Sequence, residues 1–180
     1  MLGLKYASVR HQISLSEKKM KLGKQLALLL GLALASDTLA LAQVEKTAMY
    51  TPGISCGACA AIAEFNLRRL TGIDKVTISR ANEAVTISHK PGAMFHLASI
   101  REVLEPLGVG IAQVQINVRG RVQEQGEKRF LVAGKNKFAV VAAANSPEIP
   151  LGTLVLIEAV VNDRSDPIEL TVMEVKPLAQ

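Results

Sequence analysis

Two cysteines, Cys56 and Cys59, have the type and spacing best suited to chemistry in this chain. They lie in the run Gly-Ile-Ser-Cys-Gly-Ala-Cys, with one thiol in a loop and the other in the first turn of a predicted helix. The N-terminus of a helix lowers the pKa of a thiol and favours the thiolate, the form that binds metal or attacks. Two soft thiolates with no third ligand nearby suit Cu(I), and Hg(II) by the same reasoning. Structural Zn(II) fits less well because it takes four ligands.

Two other interpretations of the cysteine pair stay open. A CxxC motif can be the redox centre of a thiol–disulfide oxidoreductase, or it can be a structural disulfide. The residue directly before Cys56 is Ser55 and not an aromatic residue, and Ala58 stands where thioredoxins commonly have proline. An oxidising compartment closes such a pair unless a metal or a reductant keeps it open. The sequence favours metal binding over both alternatives.

The other candidate ligands have weaker support. His89 and His96 flank the second predicted helix, and imidazole is a common metal ligand. A histidine near a loop is more often simply solvated, so neither is expected to bind the ion. No Ser-His-Asp set, phosphate-binding loop or pair of carboxylates in an assigned pocket is recognisable. We therefore expect a protein that is not an enzyme.

Residues 43 to 118 are predicted to form a small α/β module around the cysteines. A helix after Cys56 has an apolar stripe at Ala63, Leu67 and Leu70, and a second helix has one at Leu97, Ile100, Leu104 and Leu107. The predicted strands are Val44–Tyr50, Ile73–Ser79, Ala84–Ser88 and Val109–Val118. The order βαββαβ is that of a ferredoxin-like fold.

This stretch resembles the heavy-metal-associated domain family, which includes copper chaperones, modules of metal-exporting ATPases and periplasmic mercury-binding proteins. Beyond the cysteines, the likeness rests on residues at the positions where the family places Glu, Leu, Leu, Gly, Val and Val: Glu64, Leu67, Leu70, Gly72, Ile73 and Val76. The resemblance covers residues 45–115 and implies a carrier that binds one ion between Cys56 and Cys59. Ile54 replaces the usual Met under the binding loop. Leu107-Gly108-Val109 supplies none of the Lys, Tyr or Phe found near the metal in relatives, which bears on metal preference rather than on binding.

Residues 119 to 180 are predicted to form a separate, all-β domain. Five short β-rich runs separated by turn residues favour a small barrel, with an OB-like fold as the first choice. These runs are Gln115–Gln123, Lys128–Ala133, Phe138–Ala142, Thr153–Asn162 and Ile168–Val175. The overall fold class is therefore α+β, a ferredoxin-like βαββαβ module followed by an OB-like barrel. The domain has no Cys or His, and we expect it to serve protein interaction or a homodimer.

Residues 1–42 are predicted to be a secretory signal peptide. A basic cluster around Met20 precedes the apolar run of residues 26–35, and Ala40-Leu41-Ala42 matches a signal-peptidase site, with cleavage after Ala42. The apolar run is too short to span a membrane, which takes about 20 residues. Translation could start at Met1 or at Met20. Without this segment, the formal net charge of +5 for the 180 residues falls close to neutral.

The sequence thus predicts an exported, periplasmic protein that captures Cu(I) or Hg(II) through Cys56 and Cys59 and transfers it to a metal-transport protein or metallochaperone. Aromatic residues make up only 3% of the chain, which argues against a nucleic-acid partner, since such surfaces use base stacking. No stable membrane insertion is expected after signal removal. A thiol–disulfide oxidoreductase using the same CxxC pair is the alternative function.

Overall fold

The computed structural model describes residues 43–141 and 147–178 of the chain. Eight strands and two helices follow one another in these residues, with a short 3-10 turn at Glu105–Leu107 after the second helix. The predicted signal peptide and its cleavage site lie outside the described residues. In the described part, no helix has the length and apolarity needed to cross a membrane. The elements are β1 (Gln43–Tyr50), α1 (Gly57–Arg68), β2 (Ile73–Ser79), β3 (Ala84–His89), α2 (Leu97–Leu104), β4 (Gln113–Gln125), β5 (Lys128–Ala133), β6 (Asn136–Val141), β7 (Leu154–Asn162) and β8 (Glu169–Pro177).

The first half has the predicted βαββαβ order. Strands β2, β3, β1 and β4 pair side by side, all antiparallel. Helix α1 packs on β2 and also contacts α2. Alternate strand residues and one stripe of each helix are buried together, including Val76, Ile87, Leu67 and Leu104. The apolar periodicity of the sequence therefore predicted which faces of the helices and strands are buried. Burial of these apolar faces drives the packing.

The segment before β4 differs from the prediction. A strand was expected from Val109, but β4 begins only at Gln113. The N–H of Val109 donates to Leu104 O (3.2 Å) and that of Gly110 donates to Pro52 O (2.9 Å). These bonds turn the segment towards the loop before Cys56 instead of into the sheet. Leu107 belongs to the 3-10 turn and not to α2, since Pro106 has no N–H with which to continue the α-helical ladder.

Strand β4 connects the two halves of the described chain. Its first seven residues pair with β1, and residues 121–125 pair with β5. Residues 115–121 also pair with β7 on the other side. Beyond β4, the order continues through β5, β6 and β8 to β7, and the β6–β8 pairing is parallel. The expected strands of this half are all present, with ends within about two residues of those predicted from turn chemistry.

The C-terminal half also holds the segment that leads into α2. Asn136 Oδ1 accepts from the N–H of Phe95 (2.8 Å), and Asn136 Nδ2 donates to Ala93 O (3.2 Å). The ring of Phe95 is buried and meets the Phe138 ring edge-on, with centroids 6.1 Å apart. A buried amide that satisfies two backbone groups fixes a segment firmly, because leaving either group unpaired would be costly. Asn136, the first residue of β6, thus holds residues 93–95 in place through these hydrogen bonds.

Candidate metal centre

The loop before the cysteines is shaped by contacts with residues far away in the sequence. Gly53 has φ of +93°, and a Cβ at this position would lie 2.8 Å from Gly108 O. Only glycine fits a left-handed conformation with the backbone of another segment so close. Ile54 is fully buried beneath the loop, as expected for the residue that replaces the family's Met. The loop therefore has a fixed apolar support, and the two cysteines are held above it.

Glu83, in the turn between β2 and β3, holds the same loop from the other side. Its Oε1 accepts from the N–H of Gly53 (3.0 Å) and its Oε2 from the Tyr50 hydroxyl (3.3 Å). Its carbonyl accepts from the N–H of Thr51 (2.6 Å). Glu83 has φ of +45°, which is uncommon for a residue with a side chain. The predicted strands Ile73–Ser79 and Ala84–Ser88 leave a short connection here, but the sequence did not predict this support, because a lone glutamate in a turn carries no signal of a distant partner.

The two sulfurs of the CxxC pair face each other at the start of α1. Cys56 is the N-cap residue, and its Sγ accepts from the N–H of Cys59 at 3.3 Å. The Cys59 thiol donates to Cys56 Sγ, with 2.6 Å between the sulfurs. Both cysteines are free, Cys56 is exposed and Cys59 is partly buried. The predicted positions, one thiol in the loop and one in the first helical turn, are confirmed.

The surroundings shift the pKa values of the two thiols in opposite directions. The hydrogen bond from the Cys59 thiol lowers the pKa of Cys56 below its ordinary value, helped by the N–H groups of Cys59 and Ala58 and by Arg80. Donating that hydrogen bond raises the pKa of Cys59, and its partial burial adds to the effect. Backbone N–H groups at the start of α1 lower the pKa of both thiols, but at Cys59 the hydrogen bond to Cys56 and burial outweigh them. Cys56 is therefore the sulfur prepared to bind or attack first.

Arg80 is a site residue that the sequence did not reveal. It follows β2 and is close enough to the CxxC pair to favour the Cys56 thiolate. A Cβ built on Gly57 would lie 3.0 Å from Arg80 Nη1, so the guanidinium covers the first residue of α1. Relatives were expected to place a cation or a phenol at residues 107–109, where this chain has Leu-Gly-Val. In this chain, a hairpin turn supplies the positive charge near the cysteines instead.

Comparison with known proteins agrees with this geometry. The sequence profile described as "Heavy-metal-associated domain" matches residues 49–109. Residues 49–109 are a heavy-metal-associated domain. The predicted resemblance is thereby confirmed, and so is the ferredoxin-like order of the first half. Among curated proteins, no sequence matches the chain.

Solved structures similar to the heavy-metal-associated domain come from copper proteins. The solution structure of a yeast copper transporter domain, Ccc2a, is 24% identical, and the match covers 37% of this chain and 90% of that one, with a TM-score of 0.34. A copper CopA structure from Bacillus subtilis is 32% identical, and the match covers 40% of this chain and 93% of that one, with a TM-score of 0.34.

The histidines do not join the cysteines of the heavy-metal-associated domain. Ala84, at the start of β3, pairs with Tyr50 beside the CxxC loop. His89 lies five residues further along β3, about 17 Å away at ~3.4 Å per residue. Among the described residues, no group of three or more His, Cys, Asp or Glu side chains could hold an ion. The pair thus stands without a third ligand of these types in the described part of the chain.

His89 also differs from the expected solvated histidine. Its side chain is buried, and its Nε2 lies 2.8 Å from the Thr47 hydroxyl. Burial lowers the pKa of His89 to about 4. His96 is exposed at the N-cap of α2, where its side chain makes no capping hydrogen bond. The expectation of a solvated ring therefore holds for His96 and is wrong for His89.

The order of thiol reactivity provides a first prediction. We expect iodoacetamide to modify Cys56 before Cys59 in the reduced, metal-free chain at neutral pH, because Cys56 is more exposed and its thiolate is favoured. Cys59→Ala removes the largest cause of the lowered Cys56 pKa, so the reaction profile of Cys56 shifts to higher pH. Arg80→Gln shifts it in the same direction by less. The measurement is the alkylation rate of each cysteine against pH, followed by peptide mass spectrometry.

A matched control for that experiment is Arg69→Gln. The Arg69 guanidinium lies over the Phe65 ring, 5.4 Å from its centroid, and it does not contribute to the lowered pKa of Cys56. This variant is expected to react like the wild type. Faster modification of Cys59, or a Cys56 profile unchanged by Cys59→Ala, would contradict the described arrangement of the two thiols.

Burial of His89 predicts an acid-dependent loss of stability in the metal-free protein. The pKa of His89 is about 4 when folded and ~6.5 when unfolded. Between these values the unfolded state binds more protons, so the free energy of unfolding falls as the pH falls. The loss approaches about 3 kcal/mol by pH 4. Urea unfolding between pH 7 and pH 4 is expected to show a shallower dependence for His89→Gln, whereas His96→Gln keeps the wild-type slope. The same pH dependence of the free energy of unfolding in the wild type and in His89→Gln would contradict this prediction.

Proposed function

We propose that the chain captures Cu(I) or Hg(II) between Cys56 and Cys59 and passes the ion on by ligand exchange. The observation that carries the proposal is the pair of free sulfurs 2.6 Å apart at the N-terminus of α1. Two thiolates with no further ligand suit a soft ion of low coordination number. The heavy-metal-associated domain assignment supports metal binding in general, and the donor set supports the choice of ion.

Ion capture would proceed in two steps on this geometry. The Cys56 thiolate binds the incoming ion first, and Cys59 then loses its proton to solvent and becomes the second ligand. A nearly linear S–metal–S unit with bonds of about 2.3 Å needs the sulfurs ~4.6 Å apart. The exposed Cys56 side chain must therefore rotate away from Cys59 when the ion enters. Opening of the pair breaks the hydrogen bonds that Cys56 Sγ accepts from the Cys59 thiol and from the N–H groups of Cys59 and Ala58.

Ion release would reverse these steps and would again depend on the exposure of Cys56. A thiolate of an acceptor adds to the bound ion and displaces one cysteine, and a second acceptor thiolate displaces the other. The displaced sulfur takes up a proton, and no bare ion enters the solvent. We propose a metal-transport protein or metallochaperone as donor or acceptor. Ile62 and Phe65 support this, since both are exposed on α1, the helix that begins at the CxxC pair.

The proposal includes export and an OB-like second half. Periplasmic localisation, with cleavage after Ala42, rests on the basic and apolar pattern of residues 1–42. The strand pairings support an OB-like barrel from residue 119 onwards, because β4, β5, β6, β8 and β7 pair in succession and β7 pairs again with β4. A closed barrel of this kind would leave none of these five strands with a free edge. Mass spectrometry of the protein secreted to the periplasm, with a new N-terminus at Gln43, tests the first point.

The alternative is a thiol–disulfide oxidoreductase. The lowered pKa of the exposed Cys56 thiol favours it, because a thiolate of this kind also attacks disulfides. One pair of assays separates the two functions in the full, reduced chain. Metal binding predicts that Cu(I) is withheld from a competing chelator and that insulin is not reduced catalytically. Turnover of insulin that needs both cysteines, without tight Cu(I) binding, would favour the oxidoreductase and overturn the proposal.

A further inference from the structure

A cavity at the opposite end of the heavy-metal-associated domain gathers soft and imidazole donors. Its volume is about 180 Å³, room for about six water molecules at ~30 Å³ each. His89, Met94 and His96 all line it, and its apolar lining includes Leu70, Ile73 and Ile100. It lies about 17 Å from the CxxC end, measured along β3 at ~3.4 Å per residue. We propose that this cavity is a second metal site, which binds Cu(I) through His89, Met94 and His96.

The buried member, His89, is held as a metal-ligating histidine usually is. Its Nε2 lies 2.8 Å from the hydroxyl of Thr47, which is itself fully buried. The proposed site requires the tautomer in which Nε2–H donates to that hydroxyl, so that Nδ1 carries the lone pair and binds the ion. Ligating imidazoles commonly use one nitrogen for the metal and the other for an orienting hydrogen bond. The Phe95 ring packs edge-on against His89 at 6.0 Å and fixes the other side of the imidazole.

In the described part of the chain, the two exposed members make no side-chain hydrogen bond or ring contact. Met94 is 48% exposed, although a long apolar side chain gains by burial. His96 occupies the N-cap of α2 without making a side-chain capping bond, where Ser, Thr, Asp or Asn would stabilise the helix. Phe95 between them points into the core. Met94 and His96, on either side of Phe95, both line the cavity.

The C-terminal half keeps these donors in place. Asn136 binds Phe95 N–H and Ala93 O, the backbone groups on either side of Met94. Phe138 packs against Phe95. A ligand set held by a rigid support binds an ion more tightly than one in a free loop, because less ordering is needed on binding. In the proposed second site, the C-terminal half thus has the role of holding the ligands in place.

The donor chemistry selects the ion. A thioether is a soft, neutral ligand that favours Cu(I), and imidazole accepts copper as well. These three side chains do not suit Mg²⁺ or Ca²⁺, because both ions require oxygen ligands. The site does not depend on Cys56 or Cys59, so it can be tested in a chain that lacks both thiols. A positive result there would stand even if the proposed function of the CxxC pair failed.

The test uses the full chain carrying Cys56→Ser and Cys59→Ser, with Ag(I) as a redox-inert probe for Cu(I). We expect one equivalent of Ag(I) to shift the imidazole signals of His89 and His96 and the methyl signal of Met94 in NMR spectra. Adding Met94→Leu and His96→Gln is expected to weaken Ag(I) binding at least tenfold. The matched control is Met173→Leu, since Met173 is similarly exposed (43%) but lies on β8.

Three outcomes overturn the second site. They are no Ag(I) binding by the chain without thiols, binding that Met94→Leu and His96→Gln leave unchanged, and binding that Met173→Leu weakens to the same extent. Asn136→Ala provides an independent readout, because it frees the backbone around Met94 without removing a donor. We expect Asn136→Ala to weaken Ag(I) binding, while the NMR signals of His89, Met94 and His96 still shift when Ag(I) is added. Thermal unfolding of each variant separates loss of the site from loss of the fold.

Discussion

Replacing Cys56 and Cys59 together by serine is expected to lower the affinity for the first equivalent of Cu(I) by roughly 10⁴-fold. Four-ligand zinc sites reach affinities that correspond to a few orders of magnitude for each ligand, and this change removes both thiolates of a two-ligand site. The serine hydroxyls are hard, neutral donors that do not replace them. Competition against a Cu(I) chelator under reducing, anaerobic conditions measures the change.

The single variants refine this prediction. Cys56→Ser and Cys59→Ser are each expected to lose a large part of the affinity, because one thiolate alone cannot chelate the ion. Ser55→Ala is the matched control, since it alters the same loop but leaves both sulfurs. Wild-type affinity in the double variant would show that the tightest site lies elsewhere in the chain. Residual weak binding agrees with the second site.

Gly120→Ala is expected to have the largest effect on stability, a loss of about 3 kcal/mol that lowers the melting temperature by roughly 6–12 °C. Gly120 lies in β4, where the strand leaves its pairing with β1 and begins to pair with β5. A Cβ there would lie 2.5 Å from Val132 O and 2.9 Å from Leu131 Cδ1. Val132 O is a backbone atom of β5, which pairs with β4, so moving it aside would disturb the strand pairing.

Gly110→Ala is the control for Gly120. A Cβ on Gly110 would have Pro52 O at 3.9 Å as its nearest neighbour, an ordinary contact. This variant is expected to stay within about 1 kcal/mol of the wild type. Thermal unfolding followed by circular dichroism compares the two. Equal melting temperatures would show that β4 can shift at residue 120, and that the close approach of β4 and β5 is not needed for the fold.

The elements of the fold could be predicted because their signals are local. Alternating apolar residues located β2 and β3, and the stripe through Ala63 and Leu67 located α1. The start of β4 was wrong because residues 109–112 are apolar enough for a strand. Their backbone is instead bonded to Tyr50 and Pro52. Such a preference arises from tertiary contacts that periodicity does not record.

The cysteines could be identified from the sequence, whereas their surroundings could not. CxxC at a strand–helix junction is a compact motif, and the structure has both sulfurs where the motif implies. Arg80 and Glu83 reach the loop from a turn more than twenty residues away. Burial of His89 depends on how Phe95 packs against it. These relations exist only after the chain has folded, so no spacing in the sequence reveals them.

X-ray absorption at the copper edge, on the full reduced chain loaded with half an equivalent of Cu(I), tests the central proposal most directly. At this loading the dithiolate site is expected to fill first, because thiolates bind Cu(I) more strongly than neutral donors. The proposal predicts two sulfur neighbours at one short distance, and their loss in the Cys56→Ser and Cys59→Ser double variant. A nitrogen-dominated shell in the wild type, or an unchanged spectrum in the variant, would contradict it.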